Sequence, residues 1–172
     1  MDNPLITLVL RAHYIAAKNN ENVSSAAIRQ AAKLGKEFPE AVASAVLTLG
    51  NVHAPLSRAR MILFQSSNSL INEYLIEKVK VPGYGNSFHK DSIDPAWIDV
   101  DALLRKDFPE VATRIDEVAD LIQAYTNKKI YPNAAAYTAA AAELNNFPYG
   151  TEYSILINGR MMAWTEQYSE VR

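Results

Sequence analysis

Between Asp107 and Thr126 the chain places Phe108, Val111, Ala112, Ile115, Val118, Ala119 and Ile122 on one stripe at helical spacing, with polar residues opposite. Pro109 near the start suits a first helical turn, where its missing N–H costs nothing. A helix with so broad an apolar face must be covered, and further helical patterns are available to cover it. Pro4 to Lys18 carries Leu5, Leu8, Val9, Ala12, Ile15 and Ala16 on one side. Ser24 or Ser25 is expected to cap a second helix running towards Gly35, and Phe38-Pro39 opens a third that ends at Gly50-Asn51. A long helix is predicted from Pro55 to about Lys78, its polar middle, residues 65 to 69, facing water or a ligand. Shorter patterns follow at Trp97 to Lys106, Ala134 to Ala142 and Glu152 to Tyr168. No segment sustains alternation of period two, so the expected class is all-α.

The length of 172 residues allows one well-buried core with at most a subdomain. A formal net charge of -2 supplies no general attraction to nucleic acid or anionic membrane, and neither is expected as a partner. The chain has no cysteine, which excludes disulfides, thiolate metal sites and cysteine nucleophiles. Its histidines, His13, His53 and His89, include no pair at metal-ligand spacing, so no metal is expected. The first apolar run, Pro4 to Leu10, is too short for a membrane span and lacks the order of a signal peptide. A cytoplasmic location is the expectation.

Val79 to Pro95 reads V-K-V-P-G-Y-G-N-S-F-H-K-D-S-I-D-P. Glycines separated by one residue after a proline describe a backbone bent for close approach, which marks a binding loop or an inter-helix connection. Lys78, Lys80 and Lys90 flank the glycines as solvated lysines or phosphate contacts. Arg160 falls on the apolar face of the last helix, where a guanidinium needs an anion, either a structural carboxylate or a bound one. His53, in a turn before a helix, is placed to cap that helix or to donate to a carbonyl. Tyr137, Asn133 and Trp164 suit packing or capping.

The order of these pieces is similar to the C-terminal part of citrate synthase. Gly50-Asn51-Val52-His53, Val81-Pro82-Gly83-Tyr84-Gly85, Asp94-Pro95, Ile130-Tyr131-Pro132-Asn133 and Arg160 with Trp164, Tyr168 and Glu170 are collinear with the family's segments. The resemblance covers roughly the last two-thirds of the chain. It implies a reduced multi-helical citrate-synthase-like fold, with residues 1–49 as N-terminal helices standing for part of a large domain and 50–172 as the cleft-bearing region. It further implies a coenzyme A thioester and a carboxylate as small-molecule partners, and a homodimer. By the same resemblance His53 matches an oxyanion-type donor, Pro82, Gly83, Tyr84 and Gly85 match the segment approaching coenzyme A, and Arg160 matches a carboxylate clamp.

The departures from the family pattern fall on the chemistry. Asn86 stands where the family has a second histidine, Ala135 where it has the aspartate base, and Ala96 where it has a carboxylate-binding arginine. Ala54 and Pro55 replace the glycines after the first histidine. Asn86 keeps the capacity to donate to a carbonyl and is counted with His53 as a catalytic candidate. The implied function is a degenerate acyl-CoA and oxoacid-binding domain without ordinary citrate synthase turnover. The alternative is a minimal condensing or citryl-CoA-lyase-like enzyme with a base drawn from His89, Asp91 or Glu152.

Overall fold

The computed structural model describes residues 3–19, 22–50, 52–65 and 68–172. Asn51, in one of the matched segments, and Ser66 and Ser67, in the polar middle of the expected long helix, lie outside the described residues. Among those described there is no strand, and the all-α expectation holds. The elements in order are α1 (Pro4–Asn19), α2 (Val23–Lys33), α3 (Phe38–Leu47), α4 (Leu56–Arg60), a π-helical turn (Met61–Gln65) and α5 (Asn68–Ile76). After the glycine loop come a 3-10 turn (Pro95–Trp97), α6 (Ile98–Asp107), α7 (Pro109–Thr126), α8 (Ala134–Leu144) and α9 (Tyr153–Ser169).

Helix α8 is the centre of the molecule. Every residue from Ala135 to Ala142 is buried, so this helix has no solvent face, and its alanines let α1 and α4 pack closely against it. Helix α7 buries Ala112, Ile115, Val118 and Ile122, the middle of the expected stripe. Its C-terminus closes on Asn127, which adopts the left-handed conformation common at helix ends. Helix α9 joins the main core to a smaller cluster in which Trp164 packs with Ile28 and Ala31 of α2 and Ala41 and Ala45 of α3. Its crossing with α1 is close: a Cβ on Gly159 would stand 2.6 Å from the His13 Cβ and 2.9 Å from the Leu10 carbonyl oxygen.

Two expectations are corrected. Helix α2 is capped by Asn22, whose Oδ1 accepts from the Ser25 backbone N–H at 3.1 Å, rather than by either serine. The long helix expected from Pro55 to Lys78 is interrupted by the π turn, and a side chain from α7 explains it. Arg114 donates from Nε to the Leu63 carbonyl at 3.1 Å and from Nη2 to the Ile62 carbonyl at 3.3 Å. The guanidinium thus gives both carbonyls of the widened turn a donor from outside their own helix.

Candidate functional site

The glycine loop is fixed by backbone pairing with the Tyr131-Pro132-Asn133 segment. Gly85 N–H donates to the Tyr131 carbonyl at 2.9 Å, and Asn133 N–H donates to the Gly83 carbonyl at 2.9 Å. Asn133 also donates from Nδ2 to the Gly85 carbonyl at 2.8 Å, while its Oδ1 caps α8 by accepting from Ala135 N–H at 2.9 Å. Gly83 has φ +93°, and a Cβ there would stand 3.3 Å from the Cβ of Ala59 and 3.4 Å from that of Ala136. Glycine at this position therefore meets both a left-handed turn and a close approach to α4 and α8. The Tyr84 hydroxyl donates to the Ile115 carbonyl at 2.8 Å, which turns this side chain into the core.

The loop forms one wall of a cavity of about 630 Å3. The residues matched to catalytic, cofactor or carboxylate roles, His53, Pro82, Gly83, Tyr84, Gly85, Asn86 and Arg160, line it. Its buried part holds Leu56, Ala135, Leu156 and Arg160, and its mouth holds the exposed Arg58 and Lys80. Among the described residues no aspartate or glutamate lines it.

Arg160 is 6% exposed, and no described carboxylate pairs with it. Its Nη1 donates to Ser24 Oγ at 2.8 Å and to Asn22 Oδ1 at 3.3 Å, and its buried Nε has no partner. Burial lowers its pKa to about 10, so it stays charged at neutral pH. Of the two anions open to it from sequence, the structural carboxylate is not what these residues provide.

His53 is held by a turn in which its carbonyl accepts from Gly50 N–H at 2.7 Å, and Ala54 then takes φ +60° to send the chain into α4. Its buried Nε2 has no partner. Burial, and then the charge of Arg160, lower its pKa to about 4, which leaves a neutral imidazole able to donate or accept. Asn86 is more committed. Its Oδ1 accepts from Phe88 N–H at 2.9 Å, and its Nδ2 donates to Asp94 Oδ2 at 3.3 Å.

The bases suggested from sequence are elsewhere. None of His89, Asp91 and Glu152 lines the cavity. Glu152 is fully buried and bound to Arg60 at 2.9 Å and Ser57 Oγ at 3.1 Å, and His89 lies 3.7 Å from Asp94. Ala135, by contrast, does line the cavity. Of the flanking lysines, Lys80 reaches this cavity, Lys78 lines a separate one of about 430 Å3, and Lys90 lines neither. Trp164, Tyr137 and Asn133 pack or cap as expected.

Asn22, Ser24 and Arg58 are the site residues that sequence reasoning missed. Asn22 followed by serines before a helical stripe carries a capping signal. Its meeting with Arg160, 138 positions along the chain, has no local signature.

The class these features define is an all-helical domain with a glycine-loop cavity and a buried arginine that no described carboxylate pairs with. The family model for the citrate synthase C-terminal domain matches residues 2–172, and the chain belongs to the citrate synthase family. That match takes in the first 49 residues, which the resemblance of motifs had not reached.

Among solved structures, citryl-CoA lyase from Hydrogenobacter thermophilus superposes with a TM-score of 0.77 at 24% identity, over 99% of this chain and 71% of the lyase. Citrate synthase from Thermotoga maritima MSB8 gives 0.79 at 23% identity, over 99% of this chain and 50% of the synthase. A ternary complex of citrate synthase from Thermoplasma acidophilum with carboxymethyl coenzyme A and oxaloacetate gives 0.68 at 19%, over 98% and 48%. The chain thus spans about half the length of these synthases, and at these identities the likeness is one of fold.

Proposed function

We propose that the cavity binds a coenzyme A thioester together with a carboxylate, and that the protein does so without ordinary citrate synthase turnover. The observation that carries this reading is the convergence of His53, the Pro82 to Gly85 loop and an Arg160 that no described carboxylate pairs with on one cavity whose described lining contains cations and no acid. Arg160 is the carboxylate clamp, His53 the donor to a carbonyl oxygen, and the loop backbone the wall against which the thioester lies. The ternary complex of the Thermoplasma acidophilum citrate synthase with carboxymethyl coenzyme A and oxaloacetate supports reading the cavity as a place for a coenzyme A ligand and a carboxylate. Residues 1–49 act in this reading as a reduced counterpart of a large domain, and they contribute Asn22 and Ser24 to the clamp.

The lack of turnover rests on the base. General acid–base assistance is worth roughly a hundred- to ten-thousand-fold in rate, and Ala135 has no proton-accepting group. The second reading is a lyase or condensing enzyme with an altered substrate, and the unpartnered His53 Nε2 favours it. It requires a base that the described lining does not supply.

Thermal unfolding with coenzyme A, acetyl-CoA, oxaloacetate and citrate tests the proposal, because a ligand that binds only the folded state must stabilise it. Saturation a hundredfold above Kd stabilises by about 2.7 kcal/mol. A raised midpoint with a coenzyme A species, and no citrate formed from acetyl-CoA and oxaloacetate, is expected. No shift with any coenzyme A species removes the binding assignment, and citrate formation at an ordinary enzymatic rate removes the claim of lost turnover.

A further inference from the structure

The buried part of the cavity offers one charge and little else that is polar and free. Among the described residues Arg160 is its only buried cation, with Nε unpartnered, while Arg58 and Lys80 stand exposed at the mouth. Leu56, Ala135 and Leu156 are among the buried apolar residues that line the same cavity.

The asparagines that line the cavity are already engaged. Asn22 Oδ1 accepts from Ser25 N–H, Ser24 Oγ and Arg160, and Asn133 binds Ala135 N–H and the Gly85 carbonyl. Asn86 binds Phe88 N–H and Asp94. A second carboxylate brought to this depth would lose its water and find no further buried cation among the described residues, which is costly. An apolar group there would replace water against apolar walls. Among the described lining residues, Arg160 Nε and His53 Nε2 are the buried side-chain atoms without a partner, and the imidazole is suited to a single oxo or hydroxyl oxygen.

We infer that the acid partner of this cavity is a monocarboxylate carrying a 2-oxo or 2-hydroxy oxygen and an apolar body, rather than a di- or tricarboxylate. Its carboxylate meets Arg160, its 2-oxygen meets His53, and its carbon body lies on Leu56, Ala135 and Leu156. The inference rests on the proposed carboxylate-binding role of the cavity and names the class of acid it takes.

The test is thermal unfolding and calorimetric titration of the whole chain with 4-methyl-2-oxopentanoate, 2-oxobutanoate, malate and citrate, with coenzyme A run in parallel. The expected result is binding of 4-methyl-2-oxopentanoate at least about tenfold tighter than of 2-oxobutanoate, from the added buried methylenes, with malate and citrate weaker still. In Ala135→Asp, a carboxylate in the apolar wall should abolish monocarboxylate binding, and a cooperative unfolding transition reports that this variant is folded. Malate or citrate binding as tightly as 4-methyl-2-oxopentanoate overturns the inference and leaves the coenzyme A site standing. No binding by any acid while coenzyme A binds also overturns it. Failure of coenzyme A and the acids together removes the proposed function as well.

Discussion

Arg60 and Arg160 are equally buried, at 6% exposure each, and the chain treats them in opposite ways. Arg60 donates from Nε to Glu143 at 2.7 Å and from Nη1 to Glu152 at 2.9 Å, and its guanidinium lies over the Tyr149 ring at 5.7 Å. Burial acts to lower its pKa, but the hydrogen bonds to Glu143 and Glu152 outweigh it and hold the group above its ordinary value. Among the described residues Arg160 meets only a hydroxyl and an amide oxygen, and burial lowers its pKa. A buried cation with carboxylates around it is part of the scaffold. A buried cation without them keeps its attraction for an anion from outside.

The comparison breaks most openly on removal of each guanidinium. Arg60→Met leaves Glu152 fully buried without its counter-charge, and breaking such a pair costs about 3–5 kcal/mol. Arg160→Leu removes a desolvated charge that has no ion-pair partner among the described residues, so its stability should stay within about 1 kcal/mol of the parent. Urea denaturation of both variants measures this difference. Equal losses would mean that Arg160 is as structural as Arg60 and has no charge in reserve.

A smaller effect concerns how Arg160 is delivered to the cavity. Its neighbour Gly159 sets the approach of α9 to α1, and a Cβ there meets a backbone carbonyl at 2.9 Å as well as the His13 Cβ. Alanine normally gains up to about 1 kcal/mol over glycine inside a helix. Here the clash must move one helix against the other, and overpacking of this kind costs about 1–3 kcal/mol. Gly159→Ala should therefore lower the denaturation midpoint and, by displacing α9, weaken binding of the carboxylate that Arg160 holds. A midpoint at or above that of the parent would show that the crossing has slack.

These contrasts were partly legible in the sequence. Helix periodicity marked the α7 stripe and the extent of α1, because both bury one face against a continuous core. The family-like motifs marked His53, the Pro82 to Gly85 loop and Arg160, and these meet in one cavity. What stayed hidden depends on distant partners. The π turn needs Arg114, some fifty residues on, to bind the Leu63 carbonyl. The role of Glu152 needs Arg60, 92 positions away, and periodicity cannot distinguish a glutamate in an ion pair from one placed as a base. Gly159 reads locally as a mild helix defect, although it marks a helix contact.

The smallest expected effect has the opposite sign and lies beside His53. Ala54 holds φ +60°, a conformation that costs a residue with a Cβ about 1–2 kcal/mol and glycine almost nothing. Gly83 and Gly85 make comparable left-handed turns without that cost. Ala54→Gly relieves the strain but adds freedom to the unfolded chain, so the net gain should be about 0.5–1 kcal/mol, read as a higher urea midpoint. The same variant loosens the turn that aims His53, and coenzyme A binding should not improve with stability. Concurrent gains in both would mean that alanine at this position is a burden on fold and site alike. A gain in stability with unchanged or weaker binding would place strain on the His53 side of the molecule, opposite the fully paired charges around Arg60.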